Sequence, residues 1–396
     1  MSAAASRARG VATALGIVAL GTVLAACSGG LLLANQPLVI PAPPAPTAPP
    51  SRPADPVPIE LPRDDGPHDR LTEWWYYTGH LATADGRHFG FEAVIFRAER
   101  GDVPVTWASH LALTDESGNR FLYAQRSEIG PQVDRSPRDA GGQPTGFDLA
   151  ITGSAAQGTA GAPSTPWVLS GSGGADAIHA ATAASESARG AFGLDLAVSP
   201  LKRPALHDDI GWVPFGPAGG SYYYSRTRMT ANGTLTLDGT PLQVQGQAWF
   251  DHQWGDFISV GGGGWDWFAV NLANGTDLTL SLVRAADGTY PLVYGTLDNA
   301  DGSFVHLDSS AFGVTATGTW TSPNTGATYP AGWRIEVPGR AIVIELTPTV
   351  ADQELDTRPS TGVVYWEGSQ RVAATVQGAP VGGQAYVELT GYGTAK

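Results

Sequence analysis

Three parts of the chain combine aromatic rings with carboxylates and histidines, residue types that bind apolar molecules and move protons. They are EWWYY at 73–77, HDDIGW at 207–212 with YYYSR at 222–226, and WFDHQWGD at 249–256 followed by WDWF at 265–268. Most rings in a β-protein serve only to pack its core. A carboxylate inside such a run is more informative, because burying a charge is costly unless the charge is paired or neutralised.

Asp251 is such a carboxylate, since it lies between Phe250 and His252 in a strand-like run. If buried, it must either pair with a cation or have a raised pKa, because burial disfavours the charged form. The spacing leaves two interpretations open. One is a structural ion pair with Arg226, Arg228 or His252. The other is a carboxylic acid kept protonated in an apolar cleft, from which it can give up its proton.

Alternating apolar and polar residues, separated by turn signals, predict antiparallel strands as the elements that position these segments. Asp-Gly pairs that separate two such runs predict hairpins at 85–86, 238–239, 287–288 and 301–302. Residues 135–190 contain few large apolar side chains and are expected to form long loops or irregular strands. The predicted fold class is all-β, built from antiparallel meanders.

One pattern occurs twice, at residues 77–97 and 268–284: an aromatic residue, an alternating strand, a turn, a second strand and a closing arginine. Hairpins resemble one another, but the repeat favours two related β-domains that open with the same hairpin. We place the N-terminal domain at residues 67–250 and the C-terminal domain at residues 251–396.

The first 27 residues have the layout of a bacterial lipoprotein signal peptide. Arg7 and Arg9 precede an apolar run, residues 11–26, that is short for a membrane span. The run ends in LAAC, which resembles a lipobox whose Cys27 carries the lipid after cleavage. An ordinary signal peptide with a chance cysteine is the alternative. However, Cys27 is the only cysteine in the chain and has no disulfide partner within it.

Residues 28–66 are rich in proline and are predicted to form an extended spacer. We therefore expect an exported protein, periplasmic or at the cell surface, with a membrane as partner through its lipid anchor. The net charge of −14 and the lack of a basic stripe argue against nucleic acid as a partner. No spacing typical of a zinc or nucleotide site is present, so neither metal nor cofactor is predicted.

The aromatic motifs together resemble the carotenoid 1,2-hydratase family, also called the hydroxyneurosporene synthase or AttH-type lipocalin-like family, in its secreted bacterial lipoprotein branch. The resemblance runs from about residue 66 to the C terminus, on EWWY at 73–76, YYYSR at 222–226, WFDHQWG at 249–255, YWEG at 365–368 and YVELTGY at 386–392. It implies two tandem lipocalin-like (calycin) β-barrels with an apolar pocket in or between them. It also implies that water is added to a terminal isoprenoid double bond without a cofactor.

The resemblance places the proton-donating aspartate at Asp251, with Trp249 before it and a pocket aromatic at Tyr224 or its neighbour. Ring faces there would stabilise the tertiary cation that forms when an alkene is protonated. His252, or a water on Gln253, would then steer the incoming hydroxyl. Further residues expected to contact an apolar ligand are Trp75, Tyr77, Tyr222, Arg226, Trp254, Trp265 and Trp267.

The leading hypothesis is a hydratase or lyase-type protein that acts on a prenyl or carotenoid-like substrate. A non-catalytic lipocalin-like carrier of a lipophilic ligand is the alternative, and the two differ in whether Asp251 is needed for turnover. A secreted hydrolase is a weaker hypothesis, because Ser225 does not lie in a Gly-x-Ser-x-Gly turn.

The lipid anchor is tested by the substitution Cys27→Ser. Without the thiol no lipid can be attached, so the variant should leave the membrane fraction of fractionated cells, as detected by immunoblotting. Continued retention in the membrane fraction would contradict the lipoprotein prediction.

Overall fold

The structure, a computed structural model, describes residues 54–393 except 102, 154–164, 188, 217–218 and 258–261. Cys27, the signal peptide and residues 28–53 lie outside the described residues. Within the described part, no helix is long and apolar enough to span a membrane. Three short 3-10 turns occur there, at Arg63–Asp65, Pro131–Val133 and Pro338–Arg340.

Strands make up nearly all of the remaining regular structure. The first sheet is built from β1 (Thr72–Ala82), β2 (His88–Arg100), β3 (Val103–Asp115), β4 (Arg120–Ile129), β5 (Phe147–Ile151), β6 (Trp167–Ser172), β7 (Ala175–Ala181), β8 (Phe192–Pro200), β9 (Ala205–Leu206), β10 (Trp212–Pro214), β11 (Gly220–Leu237) and β12 (Thr240–Gly255). The C-terminal half contains β13 (Gly262–Leu272), β14 (Asp277–Ala285), β15 (Leu292–Asp298), β16 (Phe304–Asp308), β17 (Gly313–Ala316), β18 (Thr319–Thr321), β19 (Thr328–Pro330), β20 (Trp333–Val337), β21 (Ile342–Pro348), β22 (Glu354–Asp356), β23 (Val364–Val376) and β24 (Ala379–Thr390).

The first sheet is antiparallel, with the order β4-β3-β2-β1-β12-β11-β8-β7-β6-β5 and with β9 and β10 paired to β11. Its two edges approach each other. Arg126 on β4 donates to the carbonyl of Ile151 on β5 (3.3 Å), and the amide of Thr152 donates to Glu128 (2.7 Å). The sheet therefore curls around a core of inward-facing side chains.

The second sheet repeats this arrangement, with the order β16-β15-β14-β13-β24-β23-β21-β20-β17 and with β22 paired to β23. In both sheets, four successive strands are followed by the last strand of the domain, which pairs with the first. The predicted all-β fold of two related, curled antiparallel sheets is confirmed. Each predicted Asp-Gly turn joins two paired strands.

The predicted boundary between residues 250 and 251 is wrong, because it falls inside β12. This strand pairs with β1 on one side and β11 on the other as far as Gly255. Asp251 therefore belongs to the first sheet, and the two sheets separate between Gly255 and Gly262.

Part of the predicted spacer is packed against the protein. Asp65 is fully buried, and its carboxylate lies 2.6 Å from the Arg226 guanidinium. The indole of Trp75 donates to the backbone carbonyl of Asp65 (2.9 Å). Residues 54–66 thus form a plug over the open end of the first sheet rather than a free linker.

Residues 135–190 were expected to form long loops or irregular strands, and the segment contains three regular strands, β5, β6 and β7, that pair within the first sheet. Small residues such as Ala175, Ala177 and Ala180 occupy many strand positions there and weaken the apolar alternation that marks a strand.

The two sheets pack through an interface that combines apolar and aromatic clusters with buried polar contacts. Lys202 lies 2.7 Å from the buried carboxylate of Asp277, and the hydroxyl of Thr227 donates to Asp298 (2.5 Å). Such directional contacts fix the orientation of one domain on the other more strictly than apolar packing does.

The substitution Asp65→Ala tests the role of the plug. Removing one member of a buried ion pair leaves Arg226 without its carboxylate, so the free energy of unfolding should fall by about 3–5 kcal/mol, measured by urea denaturation. Glu345→Ala is the matched control. It breaks an exposed bridge to Arg334 (2.5 Å), and such bridges contribute about 0–1 kcal/mol. Equal, small losses for both variants would contradict a structural role for the plug.

Candidate active site

The side chains of β12 alternate between two compartments on opposite faces of the sheet. Trp249 and Asp251 face the C-terminal domain, where Trp249 packs in an aromatic cluster between the domains. Phe250 and Trp254 face the core inside the first sheet, and the His252 ring lies there with its centroid 4.6 Å from that of Trp254. Because successive strand residues point in opposite directions, this motif cannot form a single pocket.

Asp251 is buried, and three neutral groups donate to its carboxylate. The hydroxyl of Tyr223 donates to Oδ2 (2.5 Å), the indole of Trp249 donates to Oδ1 (2.6 Å), and the hydroxyl of Ser225 also donates to Oδ1. Two donors occupy Oδ1, and one lone pair of Oδ2 is left for a proton.

Burial raises the pKa of Asp251 to about 6, although the three hydrogen bonds act in the opposite direction. The side chain can therefore exist as acid or as carboxylate near neutral pH. This is the range in which a general acid both gives up and regains a proton readily.

The ion-pair interpretation of Asp251 is wrong, because each candidate cation has another partner. Arg226 lies 2.6 Å from Asp65, Arg228 lies 2.5 Å from Asp277, and His252 lies 2.9 Å from Glu73. The interpretation that remains is a carboxyl group whose pKa is raised by burial.

His207 and Ser225 lie beside Asp251, although sequence reasoning did not select either for the site. His207 Nε2 is 2.7 Å from the hydroxyl of Ser225, and Nδ1 is 2.8 Å from the hydroxyl of Thr296 in the C-terminal domain. Burial lowers the pKa of His207 to about 3, so the ring is neutral. Because Nδ1 faces a threonine rather than a carboxylate, and Ser225 donates to Asp251, these residues do not form a Ser-His-Asp triad.

Rings from both domains surround this carboxylate. The indole of Trp267 donates to the hydroxyl of Tyr223 (3.0 Å). Trp249 and Tyr76 both meet Trp267 edge to face, with ring centroids 6.1 Å and 5.4 Å away. Predicted residues Trp265 and Trp267 therefore belong to the Asp251 compartment, and the indole of Trp265 donates to Glu388 (2.9 Å).

Three glutamates lie between the two domains near these rings; Glu92 and Glu367 are buried, and Glu388 is partly buried. Burial raises the pKa of Glu92 to about 8 and that of Glu388 to about 7, and it raises the pKa of Glu367 well above the usual range. Glu92 and Glu367 are thus largely protonated near neutral pH and Glu388 is partly protonated, and a protonated carboxyl group can donate as well as accept hydrogen bonds.

Some polar atoms of this region have no hydrogen-bond partner among the described residues. They include Oε2 of Glu92, Oε2 of Glu367 and the hydroxyl of Tyr386. Buried polar groups normally find a partner, so these atoms mark a place where water or a polar group of a ligand fits.

The other predicted residues lie inside the first sheet, away from Asp251. They are Trp75, Tyr77, Tyr222, Tyr224, Arg226, His252 and Trp254. His252 is therefore wrongly predicted to steer a hydroxyl at Asp251, because the sheet separates the two side chains. Tyr223, the neighbour of Tyr224, is the tyrosine that contacts the carboxylate.

The inner compartment contains the one group of side chains in the described residues with metal-ligand geometry. His68, Glu73 and His252 each offer a ligand atom, and these atoms all lie within 4.8 Å of one another. Above them is a cavity of about 340 Å³, lined in part by His68, Tyr222 and Trp254.

Residues 52–392 match the AttH-like family. A crystal structure assigned as an AttH from Nitrosomonas europaea has a TM-score of 0.70 and 28% sequence identity, over 85% of this chain and 98% of that chain. Kievitone hydratase from Nectria haematococca has a TM-score of 0.56 and 17% identity, over 84% of this chain and 93% of that chain.

A third structure, CghA with Sch210972, has a TM-score of 0.51 and 14% identity, over 81% of this chain and 89% of that chain. At these identities the last two structures show a common fold. No curated protein matches the chain in sequence. Because the family match spans nearly the whole described body, the chain belongs to the AttH-like family.

Proposed function

We propose that the protein is a hydratase-type enzyme in which Asp251 protonates a carbon–carbon double bond of an apolar, prenyl or carotenoid-like substrate. The observation that carries the proposal is a buried carboxyl group with a raised pKa, held only by neutral donors and surrounded by indole and phenol rings. An aspartate paired with a cation would have a lowered pKa and would be ionised near neutral pH, so it would have no proton to donate. The relative named kievitone hydratase has the same fold, although fold alone does not establish activity.

In the first step, the proton on Oδ2 of Asp251 moves to the less substituted alkene carbon, and the neighbouring carbon becomes a tertiary cation. Electron-rich ring faces stabilise cations, and Trp249, Trp267 and Tyr76 supply such rings. The three donors to Asp251 stabilise the carboxylate that remains.

In the second step, a water molecule adds to the cation, and its surplus proton returns to the Asp251 carboxylate. The overall reaction converts an alkene and water into a tertiary alcohol. It regenerates the acid and consumes no cofactor. Gln253 lies on the same face of β12 as Asp251 and donates to the hydroxyl of Ser221 (2.7 Å). Gln253 and the unpartnered oxygens of the glutamates are the groups that would hold this water.

The location that we propose is outside the cytoplasm, on a membrane to which Cys27 is attached by lipid. This rests on the signal peptide, the lipobox and the proline-rich spacer of the sequence. An anchor at a membrane would bring the enzyme close to a lipophilic substrate.

The substitution Asp251→Asn tests the proposed acid. The substrate is an acyclic carotenoid that ends in an isopropylidene group. The wild type should add one water molecule to it, and the mass increase of the product is measured by mass spectrometry after reaction in D2O. The activity of the variant should be at least about 100-fold lower than that of the wild type, because an amide cannot protonate the alkene. The wild-type kcat/KM should be highest below pH 6 and fall above it, since the pKa of Asp251 is raised to about 6 and only its protonated form acts.

Asp176→Asn is the matched control. Burial also raises the pKa of Asp176 to about 6, but this residue binds Tyr77 inside the first sheet. It should leave the activity within a few-fold of wild type. Binding without turnover in the wild type would instead indicate the carrier, and equal activity of wild type and Asp251→Asn would contradict the proposed acid.

The substitution Ser225→Ala tests how the acid is tuned. It removes a hydrogen bond that favours the ionised form, so the pKa of Asp251 should rise and the fall in kcat/KM should move to higher pH, by about 0.5–1 unit. Ser221→Ala is the control, because Ser221 lies on the same face of β11 but bonds to Gln253. A shift of the same size in both variants would show that the change is not specific to the bond with Asp251.

A further inference from the structure

A cluster of nitrogen and oxygen ligands lies inside the first sheet, on the face of β12 opposite Asp251. His68 Nδ1 is 2.7 Å and His252 Nε2 is 2.9 Å from the same oxygen, Oε1 of Glu73. Zinc with ligands at 2.0–2.1 Å in a tetrahedral site requires ligand atoms separated by about 3.3 Å. Small side-chain rotations would bring the three atoms to that separation.

The rings are held in place by stacking on tryptophan. His68 stacks on Trp254 at 4.1 Å with planes 2° apart, and His252 lies 4.7 Å from Trp75 and 4.6 Å from Trp254. The two imidazoles therefore direct a nitrogen atom at Glu73 without a bound ion. A preformed set of ligands lowers the entropic cost of binding a metal.

Neighbouring groups orient these side chains as they do in metal sites. His68 Nε2, the nitrogen not directed at Glu73, lies 3.5 Å from the carboxylate of Asp64. The second oxygen of Glu73 accepts the backbone amide of His68 (2.9 Å). A histidine that binds a metal through one nitrogen commonly gives the other N–H to a carboxylate, which fixes its tautomer.

An ion can reach the cluster from solvent. The side chain of His68 is 20% exposed, whereas those of Glu73 and His252 are fully buried. His68 and Asp64 line the cavity of about 340 Å³ at the mouth of the first sheet, so this cavity leads to the ligand atoms.

We propose that His68, Glu73 and His252 form a binding site for a divalent transition metal of the zinc class. Two imidazoles and one carboxylate are ligands that zinc accepts, and three protein ligands leave a coordination position for water or a small molecule. The site is distinct from the Asp251 compartment, because the sheet lies between them, and it does not depend on the hydratase activity proposed above.

Metal binding to the full-length, tag-free chain tests the proposal. After treatment with a chelator, the wild type should bind one equivalent of Zn²⁺ in isothermal titration calorimetry. The substitution His68→Ala should weaken this affinity at least 100-fold, because one of three ligands is lost. Asp64→Asn should weaken it about 10–100-fold, the range for a group that orients a metal ligand.

His179→Ala is the matched control, since His179 is exposed and lies 2.9 Å from a single carboxylate, that of Asp195. It should bind Zn²⁺ as the wild type does, and circular dichroism should show that each variant is folded. Co²⁺ added to the wild type should give the visible absorption of a four-coordinate site. Failure of the wild type to bind Zn²⁺, or equal affinity of the wild type and His68→Ala, would show that the cluster is only a hydrogen-bonded network.

Discussion

The two-residue alternation of the central strands is the constraint on which the rest of the structure depends. β1, β12 and β11 lie side by side, and each presents one set of side chains to the core of the first sheet and another to the second domain. A sheet that is covered on both faces can have chemistry on both. Asp251 and His252 are adjacent in sequence, yet they belong to compartments separated by the thickness of the sheet.

The Asp251 compartment stabilises a buried carboxyl group without a counter-ion. Phenol, hydroxyl and indole donors supply enough hydrogen bonds to make burial tolerable, but no positive charge that would hold the group permanently ionised. The buried carboxylate of the plug is stabilised in a different way, because Asp65 is neutralised by Arg226. Within one sheet, one buried carboxylate is thus neutralised by an ion pair, and another has only neutral hydrogen-bond donors as partners.

The fold was predictable from the sequence because it rests on local patterns, and the same patterns single out Asp251, whose role as an acid stays a prediction. Asp-Gly turns and alternation predict hairpins, and the motif around residue 251 marks the aspartate. Among three consecutive tyrosines, alternation shows that Tyr222 and Tyr224 share a face, but not which face meets Asp251. A shift of one residue reverses that choice.

The sequence singles out the segments that contain Ser225 and His207, but it does not predict that Ser225 contacts Asp251 and that His207 contacts Ser225, since these contacts depend on the pairing of β11 with β12 and with β9. The metal-ligand cluster was missed for a related reason. His68 and Glu73 are five residues apart, but the third ligand, His252, comes from a distant strand. The prolines of residues 28–66 predict an extended spacer, but proline content does not reveal that Asp65 reaches a buried arginine.

The plug also determines where the N-terminal segment of the chain joins the folded domains. Asp55 accepts a hydrogen bond from Tyr222 (2.8 Å) and lies 2.6 Å from Arg70, so the chain leaves the domain at the mouth of the first sheet. A tether attached there pulls on these polar contacts and on the Asp65–Arg226 pair before it pulls on any strand. With the lipid anchor that we propose, mechanical load would therefore be carried by the rim of the mouth, and that rim would face the membrane.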